Sequence, residues 1–264
     1  MPRAKRRLGQ HFLTDPRILA RIADALGAGP ADTVLEIGPG PGGLTEALVA
    51  RAGRVIAIEK DADLVPALRA RFPSATVVEA DALESDWHAL AGGPFLAAGN
   101  IPYNITSPLL DKALEPPRPA RIVFLVQKEV ADRVTSGPGT PDYGALSVGV
   151  QAVARAERLF TVGAGSFQPR PRVDSAVLRL TPLDAPLVGD GDRAGFRRLV
   201  VGLFGYRRKQ LVRGLRELTG WDAARVGALL QRVGLDPAAR PEMVSPGGHA
   251  ALLRALVDAG WLGR

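Results

Sequence analysis

Apolar and polar positions follow two rhythms along this chain. Short β-branched runs at Thr33–Ile37, Arg54–Glu59, Thr76–Ala80, Phe95–Ala98 and Ile122–Val126 alternate with stretches of helical spacing at Leu44–Ala52, Ala62–Phe72, Pro108–Leu114 and Lys128–Thr135. Strand and helix in turn predict a parallel sheet with helices on both faces. Pro66 falls inside the second helical stretch and predicts either a kink or a first turn there. A helix over Leu146–Ala154 precedes strand-like Arg158–Val162 and Ser175–Leu180, joined through Pro169 and Pro171, which suits an antiparallel edge hairpin. The fold class is therefore α/β, a doubly wound, mostly parallel sheet of about seven strands. Pro182–Asp192 holds two Pro, two Gly and three Asp and reads as a linker. Beyond it, Ala194–Phe204, Arg208–Leu218, Ala223–Val233 and Gly248–Ala259 have helical spacing and no strand signal, so a small all-α domain is expected over 184–264, after a sheet domain over 1–183.

Composition narrows the class. With 46% hydrophobic and 23% charged residues in 264, the chain is neither disordered nor a coiled coil. It has no Cys, which excludes a disulfide scaffold, a thiolate zinc site, an iron–sulfur cluster and cysteine nucleophile chemistry. No metal is expected. The N-terminal charges are followed by Leu8-Gly9-Gln10-His11 rather than an apolar run, and no stretch reaches the roughly 18 apolar residues of a membrane span. A cytoplasmic protein without membrane contact is the expectation. The formal charge of +7 is unevenly placed: residues 1–10 carry four basic groups and no acid, residues 11–154 carry 12 basic against 17 acidic, and residues 184–264 carry 13 against eight. The ends suit an anionic partner and the middle a cationic one.

Val34-Leu35-Glu36-Ile37-Gly38-Pro39-Gly40-Pro41-Gly42-Gly43-Leu44 is a strand entering a glycine turn and then a helix. Gly38, Gly40 and Gly43 match the dinucleotide spacing, with Glu59 ending the next strand to take ribose hydroxyls. A pyrophosphate cradle needs backbone N–H groups, however, and Pro39 and Pro41 have none. A cofactor with an adenosine, a cationic centre and no phosphate fits better, Glu36 and the acidic middle favouring its charge. S-adenosylmethionine is such a molecule. Asp81, in Glu79-Ala80-Asp81-Ala82, is placed to bond its adenine amino group.

The fourth strand runs into Gly99-Asn100-Ile101-Pro102-Tyr103. An exocyclic purine amine is a poor nucleophile because its lone pair is delocalised into the ring. The Asn100 side-chain oxygen and the Ile101 carbonyl can each take one amino hydrogen and so aim that lone pair at a methyl donor. Pro102 stiffens the turn, and Tyr103 offers a ring for a flipped base.

These motifs together resemble the ribosomal RNA adenine dimethylases, in particular the branch that dimethylates two adjacent adenosines near the 3′ end of small-subunit ribosomal RNA. The resemblance runs from Arg7 almost to the C-terminus. It extends to Leu8-Gly9-Gln10-His11-Phe12-Leu13, Gln127-Lys128-Glu129-Val130, Tyr143-Gly144-Ala145-Leu146-Ser147-Val148, Phe167-Gln168-Pro169-Arg170-Pro171-Arg172, and Tyr206-Arg207-Arg208-Lys209-Gln210-Leu211. It implies a Rossmann-like methyltransferase sheet, S-adenosylmethionine held by His11, Leu13, Gly38, Gly40, Glu59, Asp81, Ala82 and Asn100, and the target base held by Asn100, Ile101, Pro102, Tyr103 and Phe167. His11 stands where the family often has Asn. The implied partner is small-subunit ribosomal RNA within an assembling subunit, met by a monomeric enzyme.

Arg170 and Arg172 beside Phe167 read either as phosphate contacts or as solvated arginines of a hairpin loop. Arg207, Arg208 and Lys209 open a helix with Arg213 and Arg216 beyond, either an RNA-binding stripe or a solvated face. Arg3, Lys5, Arg6 and Arg7 form either a disordered arm or an RNA clamp. Two rivals share these signals: the large-subunit methylase of the macrolide-resistance type, and a non-catalytic assembly or transcription factor on the same fold. Asn104-Ile105-Thr106-Ser107-Pro108 and the sizeable C-terminal domain favour the small-subunit branch.

Overall fold

The computed structural model describes residues 4, 5 and 8–261. It divides into two compact units, Met1–Ala131 with Ala156–Pro182, and Asp132–Arg155 with Leu183–Arg264.

The first unit begins with β1 (Phe12–Leu13), α1 (Pro16–Leu26), β2 (Thr33–Ile37), α2 (Gly43–Val49), β3 (Arg54–Glu59), α3 (Val65–Arg71) and β4 (Thr76–Glu79). It continues with α4 (Trp87–Ala91), β5 (Leu96–Asn100), α5 (Thr106–Ala113) and β6 (Ile122–Gln127), and α6 (Lys128–Thr135) leads out of it. After α7 (Ala145–Gln151) the chain returns with β7 (Ala154–Val162), β8 (Phe167–Gln168) and β9 (Ser175–Pro182). The main sheet has seven strands in the order β4-β3-β2-β5-β6-β9-β7. β4, β3, β2, β5 and β6 are parallel neighbours, whereas β9 runs antiparallel to β6 with Ser175 opposite Gln127. Val34, Leu35 and Ile37 in β2 and Val123 to Val126 in β6 are buried on both faces, as continuous apolar runs in a helix-covered sheet must be. From β2 the chain winds outward to β4 and then crosses back to β5. That reversal opens a crevice at the carboxyl ends of β2 and β5.

Two local outcomes refine the sequence reading. Pro66 sits in the first turn of α3, where its missing N–H breaks no bond. Helix α1 was not predicted, although its boundaries are written in the chain: Asp15 accepts from the Arg17 N–H at 2.9 Å, Pro16 opens the helix, and Gly27 closes it at φ +65°. Its buried Leu19, Ile22, Ala23 and Leu26 share a core with Val34, Leu48 and Val123.

The second unit holds α7, α8 (Arg193–Gly205), α9 (Leu211–Thr219), α10 (Ala223–Arg232) and α11 (Pro246–Asp258). Residues 132–155, expected with the sheet, cluster here, a departure from a single break at 183/184. The cause is Tyr143, wholly buried, whose hydroxyl donates to the Val244 carbonyl at 2.9 Å. Gly139 N–H to the Glu242 carbonyl at 2.9 Å and Leu183 N–H to the Val153 carbonyl at 2.9 Å fasten the same segment.

Tyr143→Phe leaves the buried Val244 carbonyl unpaired and is expected to cost about 1–3 kcal/mol. Urea denaturation checks this, with a lower midpoint and an unchanged m-value as the expected result.

Candidate active site

From Ile37 the chain turns through Gly38-Pro39-Gly40-Pro41-Gly42 into α2. Gly38, Gly40 and Gly42 have φ of +65°, +58° and +89°, the left-handed region that a side chain disfavours. Their N–H groups are all occupied: Gly38 donates to the Ile58 carbonyl at 3.0 Å, Gly40 to Glu59 Oε2 at 3.0 Å, and Gly42 to the Pro39 carbonyl at 2.9 Å. Pro39 and Pro41 have no donor. The five-residue loop therefore presents no spare N–H to a phosphate. A Cβ on Gly38 would meet only the Asn100 carbonyl oxygen, at 3.8 Å, and would otherwise stand in the crevice. Glycine keeps that space open.

Gly38, Gly40, Glu59, Asp81, Ala82 and Asn100, drawn from four strand ends, line one cavity in the crevice. Glu59 is fixed by two backbone donors, Gly40 N–H on Oε2 and Asp61 N–H on Oε1 at 2.8 Å, and each oxygen keeps a lone pair for a further donor. Burial pushes its carboxyl above the usual range, and these N–H groups oppose the shift. Asp81 is paired with Lys60 at 2.5 Å, and Oδ1 accepts from Leu83 N–H at 2.9 Å. The Lys60 ammonium holds the Asp81 carboxyl below its usual range. Lys60 itself lines the cavity and escaped the sequence reading.

Glu36 corrects an expectation. It points into the core rather than the cavity, 1% exposed, and burial pushes its carboxyl up to about 8. At neutral pH it is protonated and offers no negative charge to a cation. Glu59 and Asp81 are the acidic side chains that line the cavity.

Asn100 ends β5, and its Nδ2 donates to the His11 carbonyl at 2.8 Å, leaving Oδ1 as the acceptor. Ile101 is tied by its N–H to the Leu125 carbonyl at 3.0 Å, with its side chain buried. Pro102 leads into the 3₁₀ turn Tyr103–Ile105. The Tyr103 hydroxyl meets Ser175 Oγ at 2.7 Å, and its ring stacks with that of His11, centroids 5.5 Å apart and planes 25° from parallel. His11, Ile101, Pro102 and Tyr103 all line the same cavity.

Leu13 and Phe167 lie elsewhere. They face each other across the β1–β8 pairing and are buried with Leu19, Ile22 and Val177 in the core, so neither is a cavity wall. Their ladder holds the N-terminal segment beside the cavity instead. Arg170 and Arg172 follow β8 as exposed side chains.

In the second unit, the expected basic triplet splits. Arg207 pairs through Nε with Glu242, and its Nη2 donates to the Pro141 carbonyl at 2.7 Å, so it clamps a loop of its own unit. Arg208 and Lys209 are exposed in the turn before α9 rather than opening a helix, and Arg213 and Arg216 are exposed on α9. Of the N-terminal basic block, Arg3, Arg6 and Arg7 lie outside the described residues. Lys5 is paired with Asp61, and with Asp63 at 2.5 Å.

The model of the ribosomal RNA adenine dimethylase family matches residues 1–240. The chain is 43% identical to Ribosomal RNA small subunit methyltransferase A of Geobacter metallireducens, over 98% of this chain and 97% of that one. It is 45% identical to the protein of the same name from Nitratidesulfovibrio vulgaris strain Hildenborough, over 97% of each. Among solved structures, a dimethyladenosine transferase from Plasmodium falciparum matches with a TM-score of 0.84 at 26% identity, over 95% of this chain and 98% of that one. The 23S rRNA methyltransferase ErmE matches with a TM-score of 0.72 at 32% identity, over 93% and 99%.

The buried Glu36 gives a pH signature. Its carboxyl is raised in the folded state, so stability is full below the unfolded value near 4.5, falls as pH rises, and levels off above about 8. Glu36→Gln removes this loss. Thermal melts of the variant from pH 5 to 9 are expected to flatten, with the gain over the parent largest at the alkaline end.

Proposed function

The chain belongs to the ribosomal RNA adenine dimethylase family, and from that membership we propose that it dimethylates the 6-amino groups of two adjacent adenosines near the 3′ end of small-subunit ribosomal RNA. The donor in this reading is S-adenosylmethionine. The observation that carries it is the Asn100 amide, whose Nδ2 donates to the His11 carbonyl so that Oδ1 remains an acceptor, in the wall of a cavity also lined by Glu59 and Asp81. The fit to the donor is chemical: carboxylates for ribose hydroxyls and an adenine amine, a Gly38 without side chain, and a loop without phosphate donors.

S-adenosylmethionine supplies an electrophilic methyl on a cationic sulfur. Glu59 accepts from the ribose hydroxyls through its remaining lone pairs, and Asp81, beside Ala82, accepts from the adenine amine. For the target base, Asn100 Oδ1 and the Ile101 carbonyl each accept one hydrogen of N6. The nitrogen lone pair then points out of the purine plane and toward the donor methyl. Bound there, the donor would supply its methyl to N6 and keep the bond pair on sulfur, while Asn100 Oδ1 and the Ile101 carbonyl hold the N6 hydrogens until one leaves to solvent. A second cycle replaces the other hydrogen. Tyr103 supplies the ring on which the flipped adenine stacks, a contact of about 1–3 kcal/mol. The enzyme acts as a monomer in the cytoplasm on an assembling small subunit, and contributes to that subunit's biogenesis. Arg170, Arg172, Arg208 and Lys209 hold RNA phosphates.

The large-subunit alternative is disfavoured by the identity of over 40% to small-subunit methyltransferases along nearly the whole chain. Purified enzyme offered each ribosomal subunit separately decides: dimethyladenosine appearing only in large-subunit RNA by mass spectrometry sinks the proposal.

Two outcomes follow for variants. Asn100→Ala is expected to lower methylation by about 10²–10³ while RNA binding persists, since the loss falls on orientation of the nucleophile. Retained methylation would overturn the role given to Asn100, whereas a parent protein that binds the RNA without methylating it would belong to the class of non-catalytic assembly factors. Arg208→Ala with Lys209→Ala is expected to weaken RNA binding and to flatten log affinity against log salt by about 1–2 in slope. Filter binding at several salt concentrations measures this, and Arg207→Ala is expected instead to destabilise its helical unit.

A further inference from the structure

Helix α1 follows directly on β1, and strand β7 leads toward β8, so both adjoin the ladder that holds the N-terminal segment beside the cavity. That ladder is carried one step further by Thr14, whose N–H and hydroxyl donate to the Ser166 carbonyl at 2.9 and 3.0 Å. Neither α1 nor β7 has a part in the proposed chemistry. Where they meet, Arg21 of α1 places its guanidinium carbon 3.8 Å from the centroid of the Phe160 ring of β7. Phe160 is half-buried and packed on the core that α1 shares with the sheet, while Arg21 is exposed.

The carboxylates of these two elements are already engaged. Asp15, the cap of α1, pairs with Arg17 at 3.4 Å, Asp24 with Arg51 at 2.9 Å, and Glu157 of β7 with Arg179 at 3.1 Å. Among the described residues no carboxylate is paired with Arg21, so its charge is stacked rather than balanced. The distinction matters for a ligand. A carboxylate occupies the N–H edge of a guanidinium, which is the edge a phosphate needs, as Glu242 does at Arg207. An aromatic ring occupies a face and leaves the edge donors available. The ring also restricts the long side chain before any ligand arrives, which lowers the entropy lost on binding.

We infer that Arg21, laid on Phe160, is a preorganised contact for an RNA phosphate flanking the target adenosine. Its place in the fold favours that anion. Arg170 and Arg172 follow one strand of the ladder and α1 follows the other, so a backbone crossing beside the cavity meets cations of both segments. The inference rests on the proposed action on ribosomal RNA.

The test compares Arg21→Gln and Arg21→Lys with the parent, all full-length. Filter binding at several salt concentrations uses a protein-free fragment of the 3′ end of small-subunit RNA and, separately, small-subunit particles; calorimetry gives the affinity for S-adenosylhomocysteine. Arg21→Gln is expected to weaken binding to both RNA forms by about threefold to tenfold at low salt, and to flatten log affinity against log salt by about one in slope. Arg21→Lys is expected to keep the slope and still lose about twofold or more, because an ammonium offers no stacked fork. Both variants are expected to keep S-adenosylhomocysteine affinity within about twofold. The inference is overturned if Arg21→Gln keeps the parent's affinity and slope, if Arg21→Lys equals the parent, or if cofactor-product affinity falls in parallel. A loss seen with particles but not with the RNA fragment also overturns it, by assigning the contact to a protein. These bindings are read without turnover, so a parent inactive on small subunits rejects the functional proposal while the variants still decide the contact, and a parent that binds no RNA rejects both.

Discussion

The carbonyl oxygen of His11 decides which atom of Asn100 faces the cavity. An amide side chain presents a donor at one end and an acceptor at the other, and the wrong end toward an amino group would set two donors against each other. Because a carbonyl only accepts, Nδ2 is the end that turns to His11, and Oδ1 remains as the acceptor end. The bond joins residues 89 apart in sequence, so it depends on two independent pieces of fold. One is β5, which delivers Asn100 to the point where the strand order reverses. The other is the β1–β8 ladder, where Phe12 pairs with Gln168 and Leu13 with Phe167, which holds the N-terminal segment against that point. Leu13 and Phe167 thus serve the chemistry from the core: their burial fixes the strand whose neighbouring carbonyl orients Asn100.

The same economy governs charge at the other end of the cavity. Glu59 would be a poor hydrogen-bond platform if it were free to rotate, but two backbone N–H groups hold it in place. Asp81 is held by a cation and an N–H. Glu36, on the neighbouring strand, meets no such donors in comparable number and is neutral at pH 7. Proximity to the glycine loop in sequence is therefore no measure of the charge a carboxyl contributes; burial raises the carboxyl and the donors facing it oppose that rise.

The sheet was legible because a parallel strand covered on both faces must be apolar for its whole length, and such runs stand out at β2, β3, β5 and β6. The cavity residues at strand ends were legible for a related reason, since doubly wound sheets bind ligands where the order reverses. Helix α1 escaped because its apolar positions occupy only one face and adjoin the basic N-terminus, while its boundaries depend on an Asp15 cap and a Gly27 turn. Lys60 escaped because it belongs to no motif, and Ser175 because the stretch that runs on from Phe167 gives its hydroxyl no assigned partner. Ser175 reaches Tyr103 only through the antiparallel pairing of β9 with β6, and Lys60 reaches Asp81 only because β3 and β4 are neighbours. Residues 132–155 were placed with the sheet because sequence order carries no record of the Tyr143 hydroxyl finding Val244.

The basic residues show most clearly why a charge count underdetermines function. Arg207 and Arg208 are adjacent and chemically identical, yet the first is consumed by Glu242 and the Pro141 carbonyl while the second is exposed. Lys5 likewise meets Asp61 and Asp63, so its charge is balanced within the sheet unit. A cation balanced by a fixed carboxylate adds little to the attraction felt by a phosphate, since the pair presents a dipole whose field decays faster than that of a charge. The proposed phosphate contacts are therefore to be sought among cations with exposed side chains, such as Arg170 and Arg172 in one unit and Arg208, Lys209, Arg213 and Arg216 in the other, beside further exposed arginines such as Arg21 and Arg198. A contact between an exposed guanidinium and a phosphate constrains the register of the strand as well as its affinity, which a cation already held by a carboxylate of its own unit does not.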